Sequence, residues 1–140
     1  MNIKCKIGPN GKLPTYATSG SACFDIYSAE YCCWEVGMAV TISTDLYVEV
    51  PEGYMMQVVS RSGLSCDGIV VANAPGIIDS DYRGEVKIIL HNQSNRTRCV
   101  TKGQRIAQGY LVTQRNVDFL LVDELNSTER GANGFGSSGL

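Results

Sequence analysis

A chain of 140 residues with a net charge of −2 at pH 7 and a hydrophobic fraction of 44% has the composition of one ordinary globular domain. The small negative charge argues against nucleic-acid partners, and no apolar run approaches the roughly 20 residues that span a membrane. The first residues lack the apolar core of a signal peptide, so we expect an intracellular, cytoplasmic protein.

Alternating apolar and polar residues predict β-strands through most of the chain. The alternation is plainest over 38–50, and a period of two buries one face of a strand. Further apolar runs that predict strands lie at 54–60, 84–92, 105–113 and 117–125. Turn signals separate the runs at 51–53, 66–68, 74–76 and 92–96.

The spacing of these strands indicates an all-β protein, either a jelly-roll-like barrel or a sandwich. No stretch keeps a helical period over three turns, although 62–65 can begin one short helical turn. We expect a single domain over 1–126, followed over 127–140 by a flexible arm rich in glycine and serine.

The six cysteines do not form a metal-binding pattern. No two of them are spaced as C-x-x-C, and the sequence has one histidine, so a zinc site is not expected. We interpret the cysteines as small, mostly buried or incidental residues. They are Cys5, Cys23, Cys32, Cys33, Cys66 and Cys99.

Two polar segments follow predicted strands. Asp25 lies between apolar neighbours, where a carboxylate is costly unless it faces water, a cation or a donor; an outward-facing strand residue is the plainer account. Arg61, Ser62 and Gly63 offer a guanidinium, a hydroxyl and an approachable backbone, which suit a phosphate. As a bare tripeptide these three residues recur by chance, and a simple turn is the more frequent explanation.

The densest polar segment is 70–92. Asn73 precedes a Pro-Gly turn, and Asp79 follows two isoleucines, where its carboxylate can hold a water molecule. Asp79 and Tyr82 belong to a charged, aromatic stretch before the apolar strand 86–90, so we expect a β-hairpin with this stretch at its tip. For any one of these residues a salt-bridged turn is the default interpretation.

Two C-terminal features complete the candidates. Gln108 can donate to an anion, although a solvent-facing strand glutamine is the plainer account. The segment 130–140 contains four glycines, an arginine and one aromatic residue. Either it is a frayed tail, or it is an arm that becomes ordered on a ligand.

Five of these segments, in this order, resemble the five motifs of the trimeric deoxyuridine triphosphatases, the dUTPases. They are ACFDI at 22–26, SRSGLS at 60–65, GIIDSDYRGE at 76–85, RIAQ at 105–108 and RGANGFGSSG at 130–139. The resemblance implies a jelly-roll homotrimer with active sites at subunit junctions. It also implies Mg²⁺-dependent hydrolysis of dUTP to dUMP and pyrophosphate, which keeps uracil out of DNA and supplies dUMP for thymidylate synthesis.

The resemblance also implies roles for individual residues. Asp79 would orient the attacking water, and Tyr82 would pack under the deoxyribose. Asn73 would read uracil together with the backbone of Gly76, Ile77, Ile78 and Lys87. The phosphates would be held by Arg61, Ser62, Gly63 and Gln108. Asp25 would meet the metal only through its water shell.

The C-terminal arm would act as a lid on a neighbouring subunit's site. Phe135 would stack on uracil, while Arg130, Gly136 and Ser137 would close on the phosphates. Glycine allows backbone N–H groups to wrap an anion, and Arg130 can act like an arginine finger.

The chain departs from the family's usual residues at two positions of note. Cys23 replaces a common glycine, and Ser60 replaces a common proline. Two alternatives to a dUTPase stay open on the same scaffold. One is a relative of the dCTP deaminases, and the other is a nucleotide-dependent binding protein that signals through a protein partner.

Overall fold

The protein is described by a computed structural model over residues 1–134, and this region is almost entirely β. Its elements in chain order are β1 (Lys4–Ile7), β2 (Phe24–Tyr27), β3 (Cys32–Trp34), β4 (Ala39–Ile42), β5 (Leu46–Glu49), β6 (Tyr54–Val59), α1 (Ser62–Cys66), β7 (Ile69–Val71), β8 (Gly76–Ile78), β9 (Ile88–Asn92), β10 (Arg98–Val100) and β11 (Arg105–Thr113). The expected short helical turn after position 61 is therefore confirmed as α1.

The strands form antiparallel sheets that together make the expected jelly-roll β fold. The largest sheet has the order β2-β11-β6-β8, and a second has the order β4-β9-β7. Two strand pairs, β1-β5 and β3-β10, complete the arrangement. No helix among the described residues has the length and apolar character needed to cross a membrane.

The core lies between the sheets and is built from the inward faces that the period of two predicts. In β6, Met56 and Val58 are buried, and in β9, Ile88 and Leu90 are buried. Each fully buried aliphatic side chain stabilises the fold by about 1.5–3 kcal/mol relative to an exposed one. The two sheets are therefore held together by residues of the strands that lead into the polar segments.

The expected hairpin between 76–78 and 86–90 is wrong. β8 pairs with β6, whereas β9 pairs with β4 and β7 in another sheet. β9 buries Ile88 and Leu90 in the core, whereas β8 buries only Gly76 and leaves Ile77 exposed, so the two strands do not share one apolar face. The charged segment 79–87 is therefore a connection between two sheets, not the tip of a hairpin.

The interpretation of the cysteines as mostly buried is also wrong. Cys33 and Cys99 form a disulfide across β3 and β10, and both residues are exposed. The strand register places them directly opposite each other although 66 positions separate them in sequence. Cys5 and Cys66 are exposed free thiols, and Cys23 and Cys32 are half-buried.

The apolar run 117–125 is not a strand in this chain. Its large side chains are among the most exposed of the described residues, with Phe119 and Leu121 at 96% and 97%. Among residues 1–134 the segment pairs with no strand, so its side chains are left uncovered and the prediction of a strand here is wrong. We call 117–125 the apolar arm.

Candidate active site

The backbone turns sharply where β6 ends, and this turn presents three of the predicted site residues. Arg61 is extended, with φ at −86° and ψ at 133°, and its carbonyl accepts a bond of 2.9 Å from Ser65 N. Ser62 and Gly63 follow on the exposed surface of α1. Nothing lies within 4 Å of a Cβ built on Gly63, so a ligand can approach this backbone closely.

Asp25 is buried rather than facing outward. It is 3% exposed, and its carboxylate accepts a bond of 2.9 Å from Arg61 Nε and one of 3.3 Å from Arg105 Nη1. Two guanidinium groups thus provide the positive charge that a carboxylate among apolar neighbours requires. The arrangement fixes Arg61, whose side chain would otherwise be free to rotate at the end of β6.

The register of the largest sheet places Gln108 beside this cluster. In β11, Gln108 lies opposite Asp25 of β2 on one side and Val59 of β6 on the other. Val59 is two residues before Arg61. Gln108, which is expected to hold a phosphate, therefore lies on the strand between Asp25 and the end of β6 that leads into Arg61.

The turn between β7 and β8 carries the residues expected to read uracil. Asn73 is exposed on this turn, which includes a cis peptide bond between Ala74 and Pro75. Gly76 begins β8 opposite Val58, and a Cβ at Gly76 would lie 3.2 Å from Asn73 Nδ2. The glycine thus leaves the space in which the Asn73 amide packs.

A cavity of about 280 Å³ collects most of the remaining predicted residues. It is lined by Thr41, Ile77, Ile78, Asp79, Tyr82, Glu85, Lys87 and Ile89. Asp79 is exposed at its surface, directly after the two isoleucines. Its carboxylate is therefore free to accept a hydrogen bond from a water molecule at the mouth of the cavity.

Tyr82 is held against this cavity by its own connection. Its hydroxyl donates a bond of 2.9 Å to the carbonyl of Glu85, and its backbone N–H donates to the carbonyl of Asp79. A side chain at position 84 would overlap the Tyr82 ring and hydroxyl, so Gly84 is needed for this conformation. Tyr82 remains 43% exposed, so its ring can present a flat apolar surface to a ligand.

Glu85 anchors the same connection to the loop that follows β4. Its carboxylate accepts bonds from Ser43 Oγ, from Thr44 N at 3.0 Å and from Asp45 N at 2.9 Å. Burial opposes ionisation of this carboxyl, but those bonds and Lys87, whose Nζ is 3.6 Å away, outweigh it and lower the pKa of Glu85. Glu85 is therefore a charged anchor under the cavity.

Within the described residues, the candidate site falls into two groups. The cavity around Asp79 includes none of the residues at the Arg61 end of the largest sheet. Arg130 is exposed in the C-terminal segment, where its Nε donates 2.9 Å to the carbonyl of Asn133. Phe135, Gly136 and Ser137, expected in the lid, lie outside the described residues.

Two residues of the site were missed by reasoning from the sequence. Arg105 pairs with Asp25, and the signal that could have revealed it was a buried carboxylate predicted to need a cation. Glu85 supports the cavity, and a carboxylate directly before an apolar strand gave some indication of an anchoring role. In both cases the partner lies far away in sequence.

Comparison of the sequence with known proteins identifies one family. The sequence model of the dUTPase family matches residues 9–139. Deoxyuridine 5'-triphosphate nucleotidohydrolases of Zymomonas mobilis and Helicobacter pylori (strain Shi470) are 43% and 39% identical to this chain. The alignments cover 100% of this chain in both cases, and 100% and 98% of the two relatives.

Solved structures give the same result. The dUTPase of Staphylococcus bacteriophage 80alpha, in complex with dUPNHPP, superposes with a TM-score of 0.91 at 30% identity. The superposition covers 99% of each chain, so it includes both groups of the candidate site. The match in sequence over nearly the whole length and the match in fold agree: the chain belongs to the dUTPase family.

Proposed function

We propose that the protein hydrolyses dUTP to dUMP and pyrophosphate. The observation that carries the proposal is the dUTPase family match over residues 9–139, within which the cavity beside Asp79 and the arginine cluster at Asp25 are found. Because free deoxynucleoside triphosphate is the substrate, we also infer a cytoplasmic enzyme.

The chemistry begins with a water molecule held by Asp79. The water oxygen attacks the α-phosphorus, the bond from that phosphorus to the α–β bridging oxygen breaks, and pyrophosphate leaves. The carboxylate of Asp79 accepts the proton that the water loses. Its position at the cavity, directly after Ile77 and Ile78 and close to the residues that would read the nucleoside, supports this role.

The nucleoside is selected by the residues around the same cavity. The ring of Tyr82, fixed through Glu85 and Gly84, packs under the deoxyribose and leaves no room for a 2′-hydroxyl. Asn73 and the backbone of Gly76, Ile77, Ile78 and Lys87 read the uracil edge. Cytosine exchanges a donor and an acceptor at that edge, so its binding would leave polar groups unpaired, and such sites discriminate by roughly 10⁴-fold.

The phosphates of the substrate bind at the second group of site residues, around Asp25 and the end of β6. Arg61, Ser62, Gly63 and Gln108 hold the phosphate oxygens, and Arg105 adds a second guanidinium beside Arg61. Asp25 keeps both guanidinium groups oriented before the substrate arrives. Preorganised cations of this kind stabilise the charge that develops during phosphoryl transfer.

Mg²⁺ is the metal of this family, and the described residues suit an ion carried by the substrate. No group of three or more metal-ligating side chains occurs within residues 1–134. Each oxygen of Asp25 already accepts a guanidinium bond, so two cations neutralise this carboxylate before any metal ion approaches. Bound to the triphosphate, the ion would neutralise phosphate charge.

We infer that the working enzyme is a homotrimer. In a single chain the cavity at Asp79 and the arginine cluster at Asp25 are separate, and the arm 117–125 exposes large apolar side chains. Both features are explained if neighbouring subunits complete each site and cover each arm. The segment from Arg130 through Phe135, Gly136 and Ser137 would then close over a neighbour's site.

A pyrophosphate-release assay tests the proposed reaction. With Mg²⁺ present, dUTP should be hydrolysed far faster than dCTP, dTTP and UTP, by roughly 10⁴-fold for dCTP. Asp79→Asn should abolish turnover, whereas Asp81→Asn should retain it, because Asp81 does not line the cavity. Failure of the folded protein to hydrolyse dUTP, or equal loss in both variants, would contradict the proposal.

A nucleotide-dependent binding function is a second candidate. Phage 80alpha dUTPase is described as controlling the transfer of virulence genes by a proto-oncogenic G protein-like mechanism, and this chain matches it along its length. A protein that is captured from a lysate only when a non-hydrolysable dUTP analogue is present, and is then identified, would support this function. Capture that does not depend on the analogue would contradict it.

A further inference from the structure

Ser60 connects the two main sheets of the molecule next to the candidate site. It follows β6 of the largest sheet and directly precedes Arg61. Its hydroxyl oxygen accepts a hydrogen bond of 2.8 Å from the backbone N–H of Val71, in β7 of the other sheet. The Ser60 side chain thus links the residues that would bind the phosphates to β7, the strand that leads into the Asn73 turn.

The Val71 N–H has no partner in its own sheet. On either side of it, Gln93 N donates to the Gly68 carbonyl and Ala72 N donates to the Ile89 carbonyl. Along an antiparallel strand, the backbone N–H groups of successive residues point alternately towards one neighbouring strand and away from it. The N–H of Val71 therefore points away from β9 and towards β6. Val71 is 5% exposed, so without Ser60 this donor would be buried and unsatisfied.

The bond acts on the geometry of the turn because Val71 is the last residue before it. The Val71 carbonyl accepts a bond of 3.3 Å from Ala74 N, which closes the turn that presents Asn73. The two backbone groups of Val71 are therefore used at once, one by Ser60 and one by the turn. A proline at position 60 would have no side-chain acceptor and could not make this contact.

We propose that Ser60 is a positioning residue for base selectivity, which fixes the Asn73 turn relative to Arg61 through the Val71 N–H. The inference rests on the proposed hydrolysis of dUTP. Without the bond, the turn can shift, and the groups that match uracil lose their alignment. Binding of the correct base weakens, while a base that never matched those groups loses little.

Ser60→Ala, Ser60→Thr and Ser65→Ala provide the test. Ser60→Thr keeps a hydroxyl at the same position. Ser65→Ala is a matched control, because Ser65 Oγ also makes one side-chain-to-backbone bond nearby, donating 3.0 Å to the Arg61 carbonyl, but does not contact β7. For each protein, kcat and KM are measured with dUTP and with dCTP, and thermal unfolding verifies the fold.

We expect Ser60→Ala to lower the ratio of kcat/KM for dUTP over dCTP about tenfold, because a displaced turn weakens the equivalent of one hydrogen bond to uracil and no matched bond to cytosine is lost. The loss should come from KM for dUTP. Ser60→Thr should restore the ratio, and Ser65→Ala should not change it. A folded Ser60→Ala with an unchanged ratio would overturn the inference, as would an equal loss in Ser65→Ala or in Ser60→Thr.

Amide hydrogen exchange keeps the inference testable if Ser60→Ala does not fold. The Val71 N–H of the wild-type protein should exchange slowly despite lying outside the β7-β9 ladder. Exchange at the rate of an exposed amide would overturn the inference. If the wild-type protein does not hydrolyse dUTP but Val71 exchanges slowly, the failure lies in the proposed function and not in the hydrogen bond.

Discussion

Removal of the Asp25 charge is the most informative single perturbation of the site. Asp25→Asn preserves the size of the side chain but leaves Arg61 and Arg105 without their shared counter-charge. Breaking a buried ion pair costs about 3–5 kcal/mol. The guanidinium side chains are 22% and 49% exposed, so water compensates part of the loss and we expect about 2–3 kcal/mol.

Urea and thermal unfolding measure this loss. A free-energy change of that size lowers Tm by roughly 6–10 °C in a domain of this length. Asp67→Asn is the control, since Asp67 faces Arg98 at 3.9 Å with a 63% exposed side chain and should change stability by less than about 1 kcal/mol. KM for dUTP should also rise in Asp25→Asn, because Arg61 loses its orientation.

The reasoning about the buried cluster would be refuted by a simple result. If Asp25→Asn and Asp67→Asn unfold at the same urea concentration, Asp25 does not carry a buried charge that two arginines stabilise. A loss of stability without a rise in KM would show that Asp25 stabilises the fold but does not position Arg61 for the phosphates.

Three further predictions concern other parts of the molecule. Because folding lowers the pKa of Glu85, the ionised carboxyl should stabilise the fold fully above its ordinary pKa of 4.5, and this stabilisation should be lost as pH falls through the folded pKa. Urea midpoints measured against pH should therefore fall less steeply in acid for Glu85→Gln than for the wild type. Reduction of the Cys33–Cys99 disulfide, or its replacement by two serines, should destabilise the protein by about 2–4 kcal/mol, measured by urea unfolding. Gly84→Ala should displace Tyr82 and raise turnover of UTP relative to dUTP by about tenfold, measured by pyrophosphate release.

Each of these predictions has a contradicting outcome. A pH profile that is the same in Glu85→Gln and in the wild type would show that this carboxyl does not titrate with folding. Equal urea midpoints with and without reductant would show that the disulfide does not stabilise the protein. For Gly84→Ala the control is Gly20→Ala, where an added Cβ meets nothing within 4 Å, and equal effects at both positions would refute the steric argument.

Local pattern was sufficient to predict the strands that form the core. The alternation through Val40 and Ile42 and the apolar run through Ile88 and Leu90 depend only on which side chains face inward. The helical turn at Ser62 was likewise readable from its neighbours. These predictions held because each depends on residues that are close in sequence.

The features that sequence could not reveal depend on residues brought together from a distance. The disulfide needs the register that sets Cys33 opposite Cys99, and the burial of Asp25 becomes favourable only when Arg105 arrives on the paired strand. The expected hairpin failed for the same reason, because the partner of β8 is chosen by sheet packing. The apolar arm 117–125 has the composition of a strand, but it pairs with no strand among residues 1–134.

Hydrolysis of dUTP in water enriched in heavy oxygen tests the central claim most directly. Attack of water on the α-phosphorus places the heavy oxygen in dUMP, and mass spectrometry of the products shows which one carries it. The proposed reaction predicts label in dUMP and none in pyrophosphate. Label in pyrophosphate would contradict attack at the α-phosphorus, and absence of both products from the folded protein would contradict the proposed function itself.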